Sequence, residues 1–149
     1  MFNQGLSLDQ APPINIPFRF FLSAPFFGVL MSFVFFFVPF NELSNQYSHF
    51  AIGLIHLFTL GILSMIIFGA MQQMMPVLAG AIIKKPRLFA NIVHPSLVLG
   101  TLSMSFSFIF EIKMLLHIGV LFLTISFLTF FVFSVNLLFT VEFFSSSVT

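Results

Sequence analysis

Ser48 to Met75 reads SHFAIGLIHLFTLGILSMIIFGAMQQMM, a run without a single Asp, Glu, Lys or Arg. At about 1.5 Å rise per residue, such a run crosses the ~30 Å hydrocarbon core of a bilayer with length to spare for tilt. It predicts a membrane-spanning helix. Inside it lie two histidines, His49 and His56. An imidazole is costly in hydrocarbon, so each needs a partner or a purpose.

The rest of the chain has the same character. Of 149 residues, 59% are hydrophobic and 6% charged, and mean hydropathy is +1.14. Five basic and four acidic residues cannot cover a water-soluble domain of this length. Three further spans follow, Phe18 to Val38, Leu88 to Phe110 and Met114 to Val141, with Ser48 to Met75 as the second in order. Breaks fall at Pro39-Phe40-Asn41-Glu42, from Pro76 to Arg87 around Lys84-Lys85-Pro86-Arg87, and at Glu111-Ile112-Lys113. Short connections make successive helices antiparallel neighbours, so the expected fold is all-α, one four-helix membrane domain over residues 1–149.

Residues 1–17 carry Asp9, Pro12, Pro13 and Pro17, without a basic n-region or a small-residue cleavage site, and read as an interfacial arm. Arg19, Lys84, Lys85 and Arg87 belong to one side of the membrane; Lys113 lies on the other, beside Glu42 and Glu111. The positive-inside rule then places both termini in the cytoplasm of a bacterial inner membrane. Nothing in this charge pattern suits nucleic acid.

Zero cysteines exclude disulfides, a thiolate-held iron–sulfur cluster within this chain and covalent c-type haem. The 26 phenylalanines are spread over all four spans, as lipid-facing and packing residues are. The spans hold no interior carboxylate and no nucleophile motif, and no phosphate-binding glycine loop occurs. Histidines are what remains. Measured from the outer surface at about 1.5 Å per residue, His49 lies at ~2 Å, His117 at ~6 Å, His56 at ~12 Å and His94 at ~24 Å. A haem iron held between two helices takes one imidazole from each at similar depth, with the other ring nitrogen tied to an acceptor. His56 is the expected ligand and His117 the expected partner. His49 is shallow enough to be an ordinary interfacial side chain or a propionate partner. His94 precedes Pro95 and either opens the third helix or serves a second haem completed by another copy. Copper on the outer imidazoles is the lesser metal candidate; Met74-Met75 is too short a methionine run to add weight to it.

From His56 the chain continues His56, Gly61, Gly69, Pro76, Gly80, within HLFTLGILSMIIFGAMQQMMPVLAG. This pattern resembles the corresponding helix of the NnrS family of haem- and copper-containing membrane proteins and, more distantly, the low-spin haem helix of haem–copper oxidase subunit I. The entry APPINIPFRFFLSAPFFGVL, residues 11–30, is similar to the start of helix one in NnrS-like proteins. The resemblance implies haem b on His56, with electron transfer or handling of nitric oxide or oxygen as the function. Those families have many more helices than four, so it also implies a homo-oligomer or a complementary membrane subunit. The competing expectations are a structural or assembly subunit of a respiratory complex and a metal or small-solute permease.

Overall fold

Backbone amides placed in hydrocarbon must find partners within their own segment, which leaves helices as the economical solution for a single chain. The computed structural model of this protein describes residues 12–79 and 85–146. Those residues contain no strand. The elements are α1 (Asn15–Phe37), a single turn α2 (Phe40–Leu43), α3 (His49–His56), a π-helical segment (Leu57–Leu63), α4 (Ser64–Ala79), α5 (Pro86–Phe110) and α6 (Lys113–Ser146). The second span is one continuous helix, α3, the π segment and α4 together. Four helices are long and apolar enough to cross a membrane, and the chain is a multi-pass membrane protein. Most of the expected arm, residues 1–11 including Asp9, lies outside the described residues, as do Lys84 and Gly80.

Local chemistry accounts for where each helix starts and stops. α1 begins at Asn15, ahead of the expected Phe18, because Pro17 falls in the first turn, where a missing N–H costs no hydrogen bond. It ends where Val38, followed by Pro39, turns extended. Ser48 caps α3: its Oγ accepts from the Ala51 N–H at 3.1 Å and donates to the Glu42 carbonyl at 2.7 Å. α5 begins with Pro86 directly after Lys85, which adopts the left-handed conformation at φ 57°. It ends in a Schellman-type turn. Glu111 takes the left-handed position at φ 56°, and the Ile112 N–H reaches the Ser107 carbonyl at 3.1 Å. α6 runs on past the expected end at Val141, to Ser146.

With lipid on the outside, helices gain little from moving apolar surface away from it, and association depends on close approach and polar contacts. Small residues supply the approach. α1 lies along the π segment and α4, while α5 packs against α6 on one side and α3 on another. A Cβ on Gly61 would lie 2.6 Å from Phe27 Cγ, and one on Gly53 would lie 3.0 Å from the Ser105 carbonyl oxygen. On the α5–α6 seam, Gly100 faces Leu123 and Gly119 faces the Met104 backbone. At the end of the bundle near Lys85, aromatic rings take over: Phe68 stacks on Phe130 at 4.1 Å and Phe89 on Phe133 at 4.0 Å, joining α4, α5 and α6. Phe33, Phe36 and Phe37 in the C-terminal half of α1 are largely exposed, as lipid-facing residues are.

A substitution on the α5–α6 seam tests this arrangement. A Cβ on Gly119 would lie 2.7 Å from the Met104 amide nitrogen, a backbone atom that cannot swing away. Gly119→Val should destabilise the protein by about 1–3 kcal/mol. Gly28→Ala, whose nearest neighbour is the Ile62 side chain at 3.7 Å, should not. Helical circular dichroism during thermal unfolding in mild detergent reads both.

Candidate functional site

His56 closes α3, one residue before the π segment. Its Nδ1 lies 2.7 Å from the Ile52 carbonyl oxygen, one turn back on its own helix. A carbonyl can only accept, so Nδ1 carries the proton and a neutral ring holds its lone pair on Nε2. The half-buried ring stacks on Phe108 of α5, with centroids 5.1 Å apart and planes 25° from parallel. The widened backbone that follows is supported by hydroxyls: Thr59 donates to the Ile55 carbonyl at 2.8 Å and Ser64 to the Thr59 carbonyl at 3.0 Å. Single π turns in α-helices are frequent at functional sites.

His117 has the same local geometry on α6. Its Nδ1 lies 2.8 Å from the Lys113 carbonyl oxygen, and the side chain is exposed. The two rings belong to helices that flank α5. α3 meets α5 where Gly53 faces Ser105 and Ile109, and α6 meets it where Gly119 faces Met104. Ser105 lies about 100° round the helix from Met104, and Ile109 further still. Among the described residues the two rings make no hydrogen bond or ring contact with each other, while α3, α5 and α6 meet at one groove lined by His49, Phe108 and Leu116.

His49 opens α3, and its Nδ1 pairs with Glu111 Oε1 at 2.9 Å, tying the start of the second span to the α5–α6 turn. With side chains 55% and 69% exposed, the pair is well solvated. A groove of about 220 Å³ runs beside it, lined by Ser107, Phe108, Lys113 and Leu116.

His94 belongs to a separate cluster at the other end. Its Nε2 lies 2.8 Å from Ser23 Oγ, and that hydroxyl donates its one proton to the Arg19 carbonyl at 2.9 Å. The His94 Nε2–H must then be the donor to Ser23. Phe20 meets the imidazole edge-on at 4.9 Å, and Arg19 reaches Asn91 at 2.7 Å, so the cluster bonds α1 to α5. His94 thus ties two helices together through the nitrogen that a metal would need, or leaves only Nδ1 to one. Among the described residues no three His, Asp or Glu side chains converge on a common point.

Sequence reasoning picked out all four histidines but not the residues that hold them. Ser23, Asn91, Phe108 and Glu111 carried no motif. The available signal was their type: a serine and an asparagine in apolar spans need partners, here His94 for Ser23 and Arg19 for Asn91. Three more buried polar atoms, Gln72 Oε1, Thr101 Oγ1 and Ser105 Oγ, have no hydrogen-bond partner among the described residues.

No family model, no curated protein and no solved structure matches this chain. The reading of the site rests on its own geometry.

The His94 cluster gives a stability prediction. Ser23→Ala removes the acceptor from a half-buried imidazole N–H and should cost about 1–3 kcal/mol. His49→Ala breaks only a solvated pair and should cost at most about 1 kcal/mol. Thermal unfolding of the two variants in the same detergent should rank them in that order.

Proposed function

We propose that this protein binds haem b on His56 and serves in electron transfer or in handling a diatomic gas such as nitric oxide or oxygen. The observation that carries the proposal is the hydrogen bond from His56 Nδ1 to the Ile52 carbonyl at 2.7 Å. Histidines that ligate a metal through Nε2 characteristically donate Nδ1–H to such an acceptor, which fixes the tautomer and strengthens the donor. The residues fit the group on this count. Stacking on Phe108 holds the ring's orientation.

Bound there, haem would supply one-electron redox chemistry or an open coordination position for a gas. His117 offers the same donor chemistry on α6; a second imidazole for the iron would come from it, from a second copy or from a complementary membrane subunit. The resemblance of the His56 helix to NnrS-like proteins supports the same reading. In it, both termini lie in the cytoplasm of a bacterial inner membrane, with Arg19, Lys85 and Arg87 on that side. Copper is the secondary metal reading, on the same outer imidazoles.

A second reading is a non-catalytic subunit of a respiratory membrane complex. It is favoured by His49 and His94, whose contacts join one element to another as purely structural histidines do.

Oxidised and dithionite-reduced absorbance spectra, with haem-to-protein stoichiometry on protein expressed with ample haem, separate the two. Haem binding predicts b-type bands, which His56→Ala removes and His94→Ala leaves. Half a haem per chain would place the iron between copies. Absence of haem, or an unchanged spectrum in the His56 variant, overturns the assignment.

A further inference from the structure

A groove of about 470 Å³ opens on the membrane-facing side between α5 and α6, at the end of the bundle that carries Arg19, Lys85 and Arg87. Its walls are mainly apolar and exposed, with Leu88 and Ile92 from α5 and Leu128 and Val132 from α6, and Thr129 and Asn136 as the polar members. At its rim stands Lys85. We propose that this groove is a binding site for a phospholipid with an anionic headgroup, its phosphate on the Lys85 ammonium and an acyl chain along the groove between α5 and α6.

The vertical order of the lining is the first argument. Lys85 directly precedes α5, and Ile92 lies seven residues further on, so cation and apolar floor are separated by ~10 Å along the helix. A phospholipid presents charge at the interface and hydrocarbon beneath it in the same order. A groove meant for a partner helix has no need of an ammonium at its mouth.

Charge is the second argument. Lys85 is exposed and makes no ion pair among the described residues. The acidic residues whose side chains are described, Glu42 and Glu111, lie beyond the far ends of the first and third spans. A cation at a membrane interface attracts lipid phosphate, and an anionic headgroup adds a net charge that a zwitterionic one lacks. Thr129, in the groove wall, is positioned to be tested by bulk.

Native mass spectrometry of the full chain in mild detergent tests the site, with phosphatidylglycerol and phosphatidylcholine of identical acyl chains as probes. Phosphatidylglycerol should remain bound at about fivefold lower concentration, the factor expected for one basic residue near a membrane surface. Lys85→Gln should abolish that preference while leaving weak binding of both lipids. Thr129→Trp should reduce retention of both by filling the groove. Lys113→Gln, at the opposite end, should change nothing. Helical circular dichroism of each variant checks that it is folded. Equal retention of the two lipids by the natural protein, or a preference that survives Lys85→Gln in folded protein, overturns the proposal.

Discussion

Backbone-to-backbone approach along α5 is the constraint on which the bundle depends. In lipid the usual gain from hiding apolar surface is small, so a helix pair holds only where side chains are small enough for dispersion contacts and hydrogen bonds to form. α5 meets that condition on two sides, through Gly53 of α3 and through Gly100 with Gly119 on the α6 seam. A third tie is polar: the Ser126 hydroxyl of α6 donates to the Val93 carbonyl of α5 at 3.1 Å, fully buried. The Ser23–His94 and Arg19–Asn91 bonds add α1 to the same strut. Remove the close approach and the polar bonds lose their geometry with it.

Histidine roles follow from that arrangement. α5 packs against both α3 and α6, and all three meet at the groove lined by His49, Phe108 and Leu116. Depth along a helix is linear in residue number and follows from the sequence once the helix start is assigned. Azimuth does not, because it depends on which helices are neighbours. The π segment acts only beyond these histidines: its wider turn rotates the chain less per residue and moves side chains after Leu57, not His49 or His56, off a regular helical phase. Nothing in LFTLGIL announces that widening; Thr59, Gly61 and Ser64 are compatible with it, and equally with a regular helix.

Other features were legible because their causes are local. Proline fixed the start of α5 and the end of α1, and Ser48 capped the second span. The short connections fixed antiparallel order. Glu111 shows the opposite case. Its left-handed backbone is a position where glycine or asparagine is the ordinary occupant. A glutamate there is explained only by the His49 pair, a contact more than sixty residues away in sequence. Lys85 is similar: its backbone is left-handed too, and its relation to the α6 wall of the groove exists only once α5 and α6 are packed.

Polar side chains differ in what they bond. Ser23, His94, Arg19 and Asn91 join α1 to α5, whereas Gln72 and Asn136 donate to carbonyls of their own helices. At the His56 end, two imidazoles bond only to their own backbones through Nδ1. Polar contacts that serve folding alone are expected to cross between elements, as those of His94 and His49 do. A donor tied to its own helix and stacked on a neighbouring ring stabilises no packing that Phe108 would not make with an apolar residue. That asymmetry singles out His56 more sharply than depth does.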